Sequence, residues 1–139
     1  MTTSHEGKPE GYHTTTPYLF VPDADAALSF YQKAFDATEL QRSVDEQGIV
    51  RNVQIKIGDS PVMLGIRPDS SVSEPKVGDL PRVSIYLFVD DADRVFNQAV
   101  AQGATSLYGP EVQVYGNREG SVVDPFGITW WIATALESR

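Results

Sequence analysis

The sequence predicts an α+β fold: two tandem βαβββ units whose mixed sheets form a cup, with the helices outside. The first observation is a repeat. Residues 18–25 read Tyr-Leu-Phe-Val-Pro-Asp-Ala-Asp and residues 86–93 read Tyr-Leu-Phe-Val-Asp-Asp-Ala-Asp, seven identities in eight at an offset of 68. The second is that the similarity returns in register beyond a helix-length gap, after a one-residue slip, where Ala37-Thr38-Glu39-Leu40 answers Ala104-Thr105-Ser106-Leu107. The third is the order of periodicities, which runs strand, helix, then three short strands in each copy. Half the chain is too little to bury both faces of a four-stranded sheet, so two units are expected to pack together.

In order along the chain, residues 1–13 read as a flexible N-terminal lead-in, polar and without the apolar stretch of a signal peptide. The first unit spans 14–66. Its opening strand, 14–21, is rich in β-branched and aromatic residues, and Asp23 caps a helix over 24–35 in which Ala24, Ala27, Leu28, Tyr31 and Phe35 keep helical spacing. Strands follow at 39–43, 50–57 and 61–66, with turns at Gly48 and Gly58-Asp59. Residues 67–81 carry three prolines among Ser, Asp and Gly and read as a linker.

The second unit spans 82–139. Its opening strand is 83–89, and Asp90 or Asp91 caps a helix over 92–102 that ends before Gly103. Strands are expected at 106–108, 121–123 and 129–133, with Asp124-Pro125-Phe126-Gly127 as the last turn. Residues 109–120, polar and glycine-rich with Tyr108, Tyr115 and Arg118 in or beside them, read either as a surface loop or as a rim or lid over a site.

Composition removes whole classes of function. Eleven Lys and Arg against 19 Asp and Glu leave a net charge of −8, which repels nucleic acid and anionic membranes, and no basic cluster offers an exception. With no cysteine there is no disulfide, thiolate nucleophile or iron–sulfur cluster, and two histidines cannot build a histidine-rich metal site. No apolar run reaches the roughly 20 residues of a membrane helix. The expected compartment is the cytoplasm.

Several local words make the chain resemble the vicinal oxygen chelate superfamily, which holds glyoxalase I, bleomycin-resistance proteins and extradiol dioxygenases, and its PhnB-like branch in particular. These are Thr16-Pro17-Tyr18-Leu19, Phe30-Tyr31-x-x-Ala34-Phe35, Ile57-Gly58-Asp59-Ser60, Gly116-Asn117-Arg118, Asp124-Pro125-Phe126-Gly127, Trp130 and Ile132-Ala133-Thr134. The resemblance implies paired βαβββ units and, in metal-using members, four ligand positions on strands. Carried over one at a time, those positions fall on Thr16, Ser84, Met63 and Trp131, which cannot together hold a divalent ion. The branch's His and Glu positions fall on Asn52 and Gln54, and a further His position on Ile128, so the obvious general bases are replaced as well. No cofactor is expected, and the resemblance implies a homodimer.

Strand alternation then sorts the side chains. If Thr16 and Ser84 face the cup, so do Tyr18, Phe20, Tyr86 and Phe88, with Met63 and Trp131 beside them, while Leu19, Val21, Ile85 and Leu87 face the helices. An aromatic face with a few hydroxyls suits a flat or apolar ligand. The same aromatics filling their own interior is the plainer alternative. Arg118 is the one cation near the presumed cup, to meet an anion or solvent, and Tyr115 lies beside it. His13 reads as solvated, and the Asp pairs at the helix starts as caps rather than a metal site. Two functions follow: a metal-independent small-molecule binder, or a lyase, isomerase or dioxygenase whose site is built from unrecognised residues. A fold retained without any small ligand is the third.

Overall fold

The computed structural model describes residues 7–68 and 83–136. In order along the chain these form β1 (Tyr18–Val21), α1 (Ala24–Phe35), β2 (Thr38–Val44), β3 (Val50–Ile57), β4 (Ser60–Ile66), β5 (Ile85–Phe88), α2 (Ala92–Ala101), β6 (Thr105–Val112), β7 (Asn117–Val123) and β8 (Thr129–Ala135). One sheet has the order β1-β4-β3-β2 and the other β5-β8-β7-β6. In each, the first strand runs parallel to the last and the remaining pairs are antiparallel. The fold is a tandem of βαβββ units with mixed sheets. The described residues of one compact unit are 7–32 and 36–68, and those of the other are 33–35 and 83–136. Of the expected linker, Arg67 and Pro68 are described, and 69–81 lie outside the described residues.

The helix starts obey the capping rule in both copies. Asp23 accepts a hydrogen bond from the Ala26 amide at 2.8 Å, and Asp91, rather than Asp90, accepts from the Arg94 amide at 3.1 Å. Leu19, Val21, Val53, Ile55, Val62 and Leu64 are buried in the first unit, as are Ala27, Phe30 and Tyr31 of α1. In the second, α2 packs on β6, β7 and β8, burying Val95, Phe96, Ala99, Val122, Trp130 and Ile132. Asp124 organises the last turn. Its carboxylate accepts from the amides of Phe126 (2.9 Å) and Ile128 (3.0 Å) and from the indole Nε1 of buried Trp130 (2.9 Å).

Two expectations need correction. The opening strands are shorter than 14–21 and 83–89, because Pro17 has no N–H to give a ladder and Thr16 and Ser84 precede their strands. Residues 109–120 are not a surface loop: β6 continues to Val112 and β7 begins at Asn117, leaving a four-residue turn. Proline is tolerated at position 110 because β6 is an edge strand with irregular register on both sides of Tyr108. Gly120 is demanded by packing, since a Cβ there would lie 2.9 Å from Phe96 Cδ2.

Candidate functional site

Alternation along β5 leaves Tyr86 and Phe88 exposed, at 40% and 59%, on the sheet face away from α2. Across the sheet Tyr86 pairs with Trp131 of β8, Trp131 with Ser121 of β7, and Ser121 with Tyr108 of β6. The next row runs from Phe88 through Ala133 to Glu119. One face therefore carries aromatic rings around a carboxylate. The Tyr86 and Phe88 rings are 5.0 Å apart and tilted, and Tyr108 and Trp131 are 6.3 Å apart.

Glu119 is 2% exposed and accepts three tyrosine hydroxyls. Tyr86 donates to Oε1 at 2.7 Å and Tyr115 to the same oxygen at 2.6 Å, while Tyr108 donates to Oε2. Asn117 extends the network, its Nδ2 donating to the Tyr86 hydroxyl at 2.8 Å. No Lys, Arg or His among the described residues forms an ion pair with Glu119. Burial pushes the Glu119 carboxyl up, but the hydroxyls of Tyr108, Tyr115 and Tyr86 together outweigh it and hold the group below the usual carboxylate range. Tyr108 is pushed up by burial and then by its bond to Glu119; Tyr115 is pushed up first by that bond. At neutral pH the cluster is thus one buried anion held by three protonated phenols. Three of roughly four acceptor positions on the carboxylate are taken. Such a group is a poor proton acceptor and a good anchor for rings.

The first unit carries the same rows with different chemistry. Tyr18 pairs with Met63 and Met63 with Gln54; Phe20 pairs with Gly65 and Gly65 with Asn52. By register Asn52 stands where Glu119 stands, and its Nδ2 lies 3.3 Å from the Tyr18 hydroxyl, the partner that corresponds to Tyr86. Asn52 Oδ1 is buried and accepts no hydrogen bond among the described residues. Tyr12 donates to Gln54. Gly65 leaves room for the rings above it: a Cβ would meet Tyr18 Cε1 at 2.6 Å. The Arg67 guanidinium sits 5.3 Å from the centre of the Phe20 ring.

The sequence model of the Glyoxalase/Bleomycin resistance protein/Dioxygenase superfamily matches residues 12–132. The chain belongs to this superfamily. Protein Mb0911c of Mycobacterium bovis (strain ATCC BAA-935 / AF2122/97) is 38% identical over 120 residues, covering 83% of this chain and 78% of that protein. TioX from Micromonospora sp. ML1 has a similar fold, with a TM-score of 0.67 at 20% identity over 91% of this chain and 99% of that one. The fosfomycin resistance protein FosX from Listeria monocytogenes gives 0.69 at 17% identity over 90% and 94%.

The divalent cation of metal-using members of the superfamily does not fit these residues. The matching positions offer two hydroxyls, a thioether and an indole, from Thr16, Ser84, Met63 and Trp131. Two of the four are already committed to each other, since the indole Nε1 of Trp131 donates to Ser84 Oγ at 2.7 Å. No group of three or more His, Cys, Asp or Glu able to hold a metal ion occurs among the described residues.

Of the residues expected at the site, Ser84, Tyr86, Phe88, Tyr115 and Trp131 come together on the second sheet, and Tyr18, Phe20 and Met63 on the first, with Thr16 just ahead of β1. Arg118 does not join them. It lies on the opposite face of β7 from Glu119, and its guanidinium grips Asp93 of α2 at 2.7 and 3.0 Å. Glu119 and Asn117 join the site without a signal for it in composition or motif, and Tyr108, expected only beside the 109–120 stretch, joins it through Glu119. Extending the alternation of β7 back two residues from Ser121 places Glu119 on the site face.

Proposed function

We propose that this chain is a metal-independent small-molecule binding protein of the glyoxalase/bleomycin-resistance type, of the PhnB-like branch, that holds an apolar or aromatic ligand by stacking. Ser84, Tyr86, Phe88, Tyr115 and Trp131 would receive it on the second sheet, and Thr16, Tyr18, Phe20 and Met63 are the corresponding first-sheet positions. The observation that carries this reading is the pairing of Trp131 with Ser84 at 2.7 Å, an indole and a hydroxyl where metal-using relatives need cation ligands. We further propose a homodimer in the cytoplasm, without nucleic-acid or membrane partners, in keeping with the charge of −8. A fosfomycin resistance protein among the structures of similar fold is consistent with a small drug-like molecule as ligand.

The second reading is a lyase, isomerase or dioxygenase, and buried Glu119 is the observation in its favour. Its three tyrosine bonds lower its basicity and weigh against it as a general base. A thermal-shift panel of aromatic compounds, run with EDTA and again with added Mn²⁺, Ni²⁺, Zn²⁺ or Fe²⁺, separates the two. Metal-independent binding predicts stabilisation that EDTA leaves intact, about 2.7 kcal/mol at a hundredfold excess over Kd. Stabilisation that appears only with a divalent cation supports the enzyme.

A further inference from the structure

We infer that the aromatic face of the second unit selects a positively charged ligand, an aromatic or quaternary ammonium cation, with Phe88 and Tyr86 as the receiving rings and Glu119 as the countercharge. The inference rests on the binding reading above and narrows its ligand class. Duplication supplies the first argument, because the two sheets carry the same rows. In the first unit the Phe20 ring, 51% exposed, has the protein's own cation Arg67 at 5.3 Å from its centre, and the corresponding strand position holds uncharged Asn52. In the second unit the counterpart ring, Phe88, is 59% exposed and meets no Lys or Arg among the described residues, while the counterpart of Asn52 is the anion Glu119. Among the described residues the second unit thus gains a countercharge and sets no cation against the counterpart ring.

Electrostatics supplies the second argument. Glu119 is buried and ionised, and among the described residues it is balanced by phenol dipoles and no ion pair. A buried anion in a low-dielectric setting is poorly screened, so its field reaches the face in front of it. Phe88 and Glu119 both pair with Ala133, so their backbones are two strand spacings apart, about 9.5 Å. A cation over the Phe88 and Tyr86 rings would gain from the ring quadrupoles and the carboxylate together. An anionic ligand meets repulsion from the same group.

Three bicyclic probes of one shape and different charge test this by calorimetry at pH 8: N-methylquinolinium (+1), quinoline (neutral) and 2-naphthoate (−1). The expected order is N-methylquinolinium tightest, by about tenfold or more over quinoline, with 2-naphthoate weakest. Glu119→Gln, which keeps the shape and removes the charge, should bring the first two within about twofold. Phe88→Leu leaves the hydrogen-bonded cluster untouched and should weaken N-methylquinolinium more than quinoline, so the test survives if Glu119→Gln does not fold. Quinoline bound as tightly as N-methylquinolinium overturns the inference and leaves the binding reading standing. A cation preference that persists in folded Glu119→Gln also overturns it. Failure of all three probes to bind overturns both.

Discussion

Replacing Glu119 by Gln tests whether the tyrosine cluster is arranged around a negative charge. The side chain keeps its shape, but one oxygen acceptor becomes an NH₂ donor, and one of three phenols then faces a donor. A hydrogen bond to a charged group contributes about 1.5–3 kcal/mol when buried. Tyr86 and Tyr115 are 40% and 47% exposed, so water recovers most of what they lose, whereas Tyr108 is more enclosed and recovers less. The expected net loss is about 1–3 kcal/mol at pH 7, read from urea unfolding of wild type and variant. The pH dependence has a fixed sign. The folded Glu119 pKa is depressed below its unfolded value by the tyrosines, so its contribution is full above the usual carboxylate range. It is lost as pH falls through the folded value, and wild type and Glu119→Gln should converge in acid. A variant as stable as wild type at pH 7, or a gap that widens on acidification, refutes an ionised, tyrosine-stabilised Glu119.

Gly65→Ala should displace the Tyr18 and Phe20 rings, which a Cβ would meet at 2.6 and 3.0 Å, and cost about 1–3 kcal/mol in Tm-derived stability. Asp124→Ala removes the acceptor for two turn amides and the Trp130 indole, and should cost about 3–5 kcal/mol, with Trp130 emission altered in the native baseline. Light scattering at micromolar concentration should return twice the 15.3 kDa chain mass, and a stable single-chain mass contradicts the proposed homodimer.

Most of the fold was legible because the duplication repeats strong local signals. The α1 boundaries and those of β3 follow directly from helical spacing and from an alternating run ended by Gly58, whose φ of 58° closes the turn. The β6–β7 hairpin was not legible, since Gly109, Pro110 and Gly120 imitate loop composition. Their reasons are tertiary: an edge position for the proline and the close approach of Phe96 for Gly120. Losing that hairpin also hid Glu119. A glutamate is seldom fully buried, so a strand carrying one inward is a poor guess without its three partners in view. Arg118 was placed near the site by sequence proximity, yet β-alternation sends it to α2 and Asp93. The aromatic positions were legible in advance because the rule that finds them is purely local.

The proposed stacking of a ligand on this face without a metal depends above all on Trp131. Trp131 is partly exposed, and its one polar atom is satisfied by Ser84 Oγ at 2.7 Å. Trp130 should be left intact in the comparison, because its buried indole is bound to Asp124 and its loss would unsettle the fold. Calorimetric titration of wild type and Trp131→Ala, in EDTA, with an aromatic compound that raises the wild-type Tm, is the measurement. Loss of about 1–3 kcal/mol of binding in a folded variant is the predicted result. Unchanged affinity in a variant that remains folded would contradict it.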